Sequence, residues 1–164
     1  MAGRPNQQAE MRLVAEWVAR TYPDATWRTR VRLGSLSPQL GLEVRDEAEA
    51  RLVHGAFARW ADAVVELEDR LLLIEAKLVA HPVAVAQLEL YARLIPYTPD
   101  FISLAPKPVE SVLLYAVEDP LVVQMARERG IRSVQYHPSW VDEYLESLHR
   151  RHRTAPLPQE LVAT

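Results

Sequence analysis

Two acids and a lysine interrupt two otherwise apolar segments in the middle of this chain. Asp62 lies in ARWADAVVEL, and Glu75 and Lys77 lie in RLLLIEAKLV. Glu75 and Lys77 are two residues apart, so on a strand they share a face, whereas Ala76 points the other way. A turn at Glu68-Asp69 would join the segments as a hairpin and place Asp62 directly opposite Glu75.

Two carboxylates facing each other destabilise a strand pair, because like charges repel across the ladder. A divalent cation would remove that repulsion, and oxygen ligands suit Mg²⁺. Such an ion could polarise a phosphodiester and acidify a bound water, while Lys77 orients or deprotonates that water and offsets the developing charge. From the residues alone, the alternative is an ordinary salt-bridge cluster of Asp62, Glu75 and Lys77 at a hairpin end.

The helix predicted over 84–95 adds an amide and a phenol. Gln87 and Tyr91 are four residues apart and therefore share a face, beside the apolar stripe of that helix. Because the helix follows the Glu75–Lys77 strand directly, these side chains could lie over the two carboxylates. The alternative is a half-buried helix edge.

A further carboxylate, Glu10, lies in the helix predicted from Asn6 to Thr21. It is placed one turn before Leu13 and Val14, on the side that packs inward. The functional interpretation is an additional contact to a metal or water. The alternative is an acid that stabilises the helix by its position near the N-terminus.

Arginines supply the cationic side chains that could bind a nucleic acid backbone. Arg28, Arg30 and Arg32 alternate along TWRTRVRL, so on a regular strand all three share one face. Arg59 and the basic run from His149 to Arg153 extend this set. The formal net charge of −3 does not itself indicate nucleic acid, so these local clusters matter more than the total. The alternative is a solvated surface.

The apolar periodicities predict the element order α-β-β-β-α-β-α-β-α. A three-strand meander followed by alternating helices and strands indicates an α/β (α+β) fold with a central mixed sheet flanked by helices. We predict one domain over residues 1–153 and an extended tail over 154–164. The stretch 35–55 is ambiguous, with DEAEARLV as a candidate short helix.

The bulk composition excludes several classes of protein. The 164 residues contain no cysteine, which removes disulfides, thiol catalysis and cysteine-based zinc sites. The apolar stretches are short, so no membrane span is expected, and the N-terminus lacks the apolar core of a signal peptide. We therefore predict a cytoplasmic protein.

The segment RWADAVVELEDRLLLIEAKL resembles the core motif of PD-(D/E)XK nucleases, in which an acid ends one strand and Glu-x-Lys occupies the next. Gln87-x-x-x-Tyr91 resembles the QxxxY motif of the RecB-like branch, and NQQAEMRLVAEWV is similar to the first helix of Holliday-junction-resolvase-like members, whose glutamate matches Glu10. Ala61 stands where the family name has proline, and His54 only weakly matches the upstream histidine of some RecB-like members.

The resemblance covers roughly Gln7 to Tyr136 and implies a restriction-endonuclease-like fold. It implies that Asp62, Glu75 and the Ala76 carbonyl bind Mg²⁺ or Mn²⁺, with Glu10 as a further contact. Lys77 would serve the attacking water, and Gln87 and Tyr91 would contact the substrate or steady the site. The arginines expected to guide DNA are Arg28, Arg30, Arg32 and Arg59.

Three functions follow as hypotheses. The first is a metal-dependent nuclease that hydrolyses DNA phosphodiester bonds, as a homodimer in the manner of many relatives or in a larger assembly. The second is a non-catalytic structural or adaptor protein of a phage or prophage assembly, in which case the chain is virion-associated. The third is a restriction or repair subunit that depends on a partner for targeting to DNA.

Overall fold

The computed structural model describes residues 5–34, 59–104 and 107–154. The predicted element order is confirmed over these residues. The helices and strands are α1 (Pro5–Thr21), β1 (Thr26–Leu33), β2 (Arg59–Glu66), β3 (Leu71–Val79), α2 (Pro82–Leu94), β4 (Val109–Val117), α3 (Pro120–Glu128), β5 (Arg132–Gln135) and α4 (Trp140–Thr154). Two short 3₁₀ segments, Ile95–Tyr97 and Pro99–Leu104, follow α2.

Within the described ranges, five strands form one mixed sheet in the order β1-β2-β3-β4-β5. β1, β2 and β3 pair antiparallel, whereas β3, β4 and β5 pair parallel. The connections explain this change of direction. A tight turn joins β2 to β3, which permits only antiparallel pairing, whereas α2 and α3 are crossovers long enough to return the chain for parallel pairing. The predicted central mixed sheet flanked by helices is confirmed.

The sheet separates two core clusters. On one side, Leu71 and Leu73 of β3 pack with the apolar faces of α2 and α3. On the other side, Leu72 and Ile74 pack with α1. Because β3 is covered on both faces, it is an almost continuous apolar run, as expected for a central strand with parallel pairing. Glu75, in the second half of this strand, is therefore almost completely removed from bulk water.

α4 packs along α1 through polar contacts. The Nε1–H of Trp140 donates to Glu16 Oε2 at 2.8 Å, and Arg12 binds the other carboxylate oxygen at 2.8 Å. The Arg12 guanidinium also lies 4.4 Å from the centroid of the Trp140 ring. Near the N-terminus of α1, the Tyr144 hydroxyl donates to Asn6 Oδ1 at 2.9 Å. These contacts bring the C-terminal half of α4 beside the N-terminal end of α1.

Helix α3 begins at an acid that caps it. Asp119 Oδ1 accepts from the backbone N–H groups of Leu121 at 3.0 Å and Val122 at 3.3 Å. Replacing Asp119 with alanine leaves these donors without that acceptor and is expected to lower the free energy of unfolding by about 1 kcal/mol. Chemical denaturation measures this loss. Asp119→Asn, which keeps a capping oxygen, serves as control, and an equal loss in both variants would contradict the capping role.

Some predictions lie outside the described residues. These are the candidate helix DEAEARLV, His54, and residues 155–164 of the predicted tail. α4 extends through Thr154, the first residue of the predicted tail. No helix in the described ranges is long and apolar enough to cross a membrane.

Candidate active site

Six elements meet at one cleft of about 870 Å³. α1, β1, β2, β3, α2 and α4 each contribute at least one lining residue. The sequence-predicted site residues that line it are Glu10, Arg30, Asp62, Glu75, Lys77 and Gln87. The structure therefore brings together side chains separated by up to 77 positions in the sequence.

The β2–β3 hairpin has the predicted register. Ala63 pairs with Ile74 and Val65 with Leu72, which continues to Asp62 opposite Glu75. At Asp62 the side chain takes part in the pairing, because its Oδ2 accepts the Ala76 N–H at 2.8 Å. This bond anchors the aspartate to the strand that carries the other acid.

Glu75 is buried in the floor of the cleft, with only 3% of its surface exposed. Its Oε1 accepts a hydrogen bond from Lys77 Nζ at 2.8 Å. Its Oε2 is also buried and has no hydrogen-bond partner among the described residues. Burial, and then the negative charge of Asp62, raise the pKa of Glu75 to about 7. The site therefore holds a carboxylate whose charge is poorly compensated at neutral pH.

Lys77 is the cation closest to this carboxylate. Its Nζ also donates to the Ala76 carbonyl at 3.0 Å and lies 3.9 Å from Glu10 Oε2. Burial opposes its charge, but the surrounding carboxylates outweigh burial, and the pKa of Lys77 is raised. Lys77 is therefore protonated near neutral pH, which favours orienting and charge stabilisation over a role as general base.

Asp62 and Glu10 are both partly desolvated acids. Burial raises the pKa of Asp62, while Lys77, the Ala76 N–H and Arg30 oppose that rise. Burial also raises the pKa of Glu10, against the charge of Lys77 and a hydrogen bond from the Leu78 backbone. The inward-facing position predicted for Glu10 is confirmed, and three carboxylates share this cleft with Lys77 and Arg30.

Gln87 and Tyr91 form one unit on α2. The Gln87 Nε2–H donates to the Tyr91 hydroxyl at 3.1 Å. Tyr91 is buried in the core with Leu88, and burial followed by the charge of Glu75 raises the pKa of its phenol. Gln87 lines the cleft, and its Oε1 is buried without a partner within the described ranges. Tyr91 therefore holds the amide in place, and Gln87 presents it to the cleft.

The prediction that Arg28, Arg30 and Arg32 share one face is wrong. Arg28 lies 5.6 Å from the Phe101 ring, and Phe101 belongs to the same core cluster as Val31. In a regular strand, residues 28 and 31 point to opposite faces. Arg30 has φ +51°, and this left-handed residue inverts the alternation of β1.

Arg30 is the one of these three arginines that lines the cleft. Its position in the β1–β2 register is opposite Asp62, between the pairs Thr29–Ala63 and Val31–Ala61. Arg28 instead forms an ion pair with Asp100 at 3.0 Å. The irregular backbone of Arg30 thus coincides with the site.

Arg59 begins β2 opposite Leu33, and its charge acts on Tyr91 in the direction that lowers the pKa. The basic run after Leu148 belongs to α4, and His149 and Arg150 are exposed there. Because Leu148 lines the cleft, this end of α4 lies beside the site.

Five lining residues have no predicted role in the site. These are Asn6, Gln7, Trp60, Ala61 and Leu148. Trp60 carried a usable signal, because it is the largest side chain of β2 and lies two residues before the motif acid. Leu148 carried none, since only the packing of α4 against α1 brings it to the cleft.

The residues present fit a hard divalent cation. The donors of the predicted set are all oxygen atoms, namely the carboxylates of Asp62 and Glu75 and the carbonyl of Ala76. Mg²⁺ is commonly held by one or two carboxylates together with water and substrate phosphates. In the part of the chain that the structure describes, no group of three or more His, Cys, Asp or Glu side chains is arranged to hold a metal ion. The fit therefore rests on the carboxylates of Asp62 and Glu75, and above all on Glu75 Oε2, which has no hydrogen-bond partner among the described residues.

No family model and no curated protein matches this sequence. Two solved structures are similar to this chain. EndoMS in a complex with double-stranded DNA has a TM-score of 0.48 at 13% identity, over 84% of this chain and 47% of that one. A protein of unknown function, AF1548, has a TM-score of 0.47 at 13% identity, over 89% and 67%. This chain spans about half the length of the EndoMS chain. At these values neither similarity carries an argument about activity.

Proposed function

We propose that this chain is a metal-dependent nuclease that hydrolyses DNA phosphodiester bonds with Mg²⁺ or Mn²⁺. The observation that carries the proposal is the buried pair Asp62 and Glu75, in which Glu75 Oε2 lacks a partner among the described residues. An unsatisfied buried polar atom costs about 1–3 kcal/mol, and more when it is charged. A protein with a purely structural role gains nothing from that cost, whereas a cation site requires such an oxygen.

Asp62, Glu75 and the Ala76 carbonyl would hold the cation, which when bound polarises the phosphodiester and lowers the pKa of a water. Lys77 Nζ, now bonded to Glu75 Oε1 and the Ala76 oxygen, gives up these acceptors and turns its charge towards the attacking water and phosphate oxygens. The amide of Gln87, held by Tyr91, orients the substrate from α2.

Arg30 is the cation placed best to bind the phosphate backbone, because it lines the cleft opposite Asp62. We propose Arg28, Arg32 and Arg59 as outer contacts along β1 and the start of β2. Arg28 must exchange Asp100 for a phosphate to take part. Each such contact makes DNA binding weaker as salt rises.

The test is cleavage of labelled single-stranded, duplex and branched DNA in Mg²⁺, in Mn²⁺ and in EDTA. The proposal expects cutting that requires the metal, and the preferred substrate distinguishes resolvase-like from RecB-like behaviour. If the folded protein cuts none of these substrates and calorimetry detects no Mn²⁺ binding, the non-catalytic adaptor role replaces the nuclease. Sedimentation in the same buffer tests whether the chain forms a dimer, which would place two sites in one particle for cutting both strands.

We propose that Glu10, which lines the cleft, is an additional contact to the cation or to a water bound to it. Glu10→Gln removes a charge near Lys77 and is expected to weaken Mn²⁺ binding by about tenfold, in the range seen when residues around a metal site are changed. Isothermal titration measures this affinity. Glu89→Gln on α2 is the matched control, because Glu89 is exposed and pairs with Arg129 at 3.4 Å. Unchanged affinity in Glu10→Gln would remove Glu10 from the site.

A further inference from the structure

Trp60 is the largest apolar side chain that lines the cleft, where Ala61 and Leu148 are the other apolar residues among those described. It lies on β2 two residues before Asp62 and is 49% exposed. It lines the same cleft as Glu75, Lys77 and Arg30. The hairpin chemistry described above makes no use of an indole, so its exposure needs a separate explanation.

We propose that Trp60 is a stacking platform for an unpaired base, and that the substrate is therefore single-stranded DNA or a single-stranded portion of a branched or frayed DNA. This inference rests on the proposed nuclease function and names its substrate class. A base offers a flat face of its own size to an indole, and such stacking tolerates any base.

The distance along β2 supports this assignment. Residues two apart on a strand are separated by roughly 7 Å. In an unpaired, extended strand, neighbouring phosphates are separated by a similar distance. A base stacked on Trp60 thus belongs to a nucleotide within one or two steps of a phosphate at the proposed cation site beside Asp62.

The backbone of Trp60 is also held rigidly. It pairs with Arg32 of β1 in the ladder, within an antiparallel register that continues to Leu33 and Arg59. Because this backbone is already paired, base binding does not have to order it, so more of the stacking energy appears as affinity. The neighbouring cations Arg30 and Lys77 match phosphates, which favours a nucleic acid over an apolar peptide as the ligand.

Pairing state decides whether a base can reach this platform. In a duplex, each base is stacked between its neighbours and must be extruded before an aromatic side chain can contact its face. The cleft volume of about 870 Å³ is of the size that encloses a small ligand. An unpaired nucleotide exposes the face of its base and is small enough for the cleft, and no base pair has to be broken.

The experiment compares three ligands and three residues at position 60. An oligodeoxynucleotide and an abasic strand of the same length carry the same phosphates, but only the first carries bases. A blunt duplex carries bases that are paired. Dissociation constants are measured for the full-length chain carrying Lys77→Ala, which keeps the strand uncut, with Trp60 retained or changed to Ala or Phe. Tyr97→Ala is the control, because Tyr97 is 48% exposed and belongs to a 3₁₀ segment rather than to the cleft wall.

We expect Trp60→Ala to weaken binding of the base-containing strand by about tenfold. The same change should alter binding of the abasic strand by less than about twofold, and Trp60→Phe should retain most of the affinity. Equal weakening of both strands, no weakening of either, or equal weakening for blunt duplex DNA would overturn the inference.

The outcomes separate this inference from the nuclease proposal. If the parent protein cuts DNA but the two strands respond alike to Trp60→Ala, only the stacking role fails. If the parent neither cuts nor binds any DNA, the nuclease proposal fails and the stacking role fails with it. Base-dependent binding without cutting would retain Trp60 as a single-strand contact and reject the nuclease.

Discussion

Replacing Lys77 with alanine is expected to lower metal-dependent DNA cleavage by at least about 100-fold. Lys77 is the cation nearest to both Glu75 and Glu10, at 2.8 Å and 3.9 Å, so its loss removes the positive charge that faces the attacking water and the phosphate. Removing one positioned group that stabilises the charge developing in a transition state costs roughly 10²–10³-fold in rate. Initial rates on the preferred DNA substrate, at saturating Mn²⁺, measure this effect.

Lys107→Ala is the matched control for this variant. Lys107 is also a partly buried lysine, and it bonds to Glu66 and to the Leu67 carbonyl at the opposite end of the hairpin. It should leave cleavage within about twofold, after a check by thermal unfolding that both variants fold. A Lys77→Ala protein that folds, binds Mn²⁺ and cuts as fast as the parent would remove Lys77 from the mechanism.

Replacing Glu75 with glutamine is expected to stabilise the protein in EDTA at pH 8 and to flatten its dependence of stability on pH. The pKa of Glu75 rises from 4.5 to about 7 on folding, because of burial and then the charge of Asp62. The folded state thus binds this proton more tightly than the unfolded chain. The proton on Glu75 therefore stabilises the folded state. This stabilisation is complete below about pH 4.5 and is lost as the pH rises through about 7.

The size of this effect follows from the shift. Each pKa unit corresponds to about 1.4 kcal/mol, so the parent loses on the order of 3 kcal/mol of unfolding free energy across this window. Asp62 and Glu10 shift in the same direction and add to the slope, whereas the raised pKa of Lys77 acts only at higher pH. Urea denaturation at several pH values between 4.5 and 8 gives the slope for parent and variant.

A divalent cation should reverse this loss in the parent only. Ligand binding to the folded state stabilises it, so Mg²⁺ or Mn²⁺ should raise the unfolding temperature of the parent at pH 8 but not that of Glu75→Gln. Glu118→Gln, a change at an exposed acid, should behave as the parent. A parent whose stability neither falls with pH nor responds to the metal would contradict the buried-carboxylate account of the site.

Local sequence determined the element order and the register of the central hairpin. The apolar periods of α1, β3 and α2 select helix or strand from short windows, and the charged pair Glu68-Asp69 places the turn. Once the turn between β2 and β3 is placed, the opposite residues are found by counting outwards from it. The pairing of Val65 with Leu72 therefore follows without knowledge of the rest of the fold.

The sequence predicts that Glu10 and Gln87 each lie on the inward face of a helix, but it does not predict that both meet the hairpin at one site. Each helix shows which face packs inward, but the distance of 3.9 Å between Glu10 and Lys77 depends on where α1 crosses the sheet. The position of Leu148 also depends on the packing of distant elements. It reaches the cleft because Trp140 and Tyr144 of α4 form hydrogen bonds with α1.

Tertiary structure alone decided three further features. The positive φ of Arg30 separates Arg28 from the face of its neighbours, and backbone handedness at one non-glycine residue is set by its surroundings rather than by its type. The burial that raises the pKa of Glu75, and the exposure of Trp60, depend on layers packed from distant parts of the chain. Periodicity reports which side a residue faces, whereas desolvation and access depend on everything that covers that side.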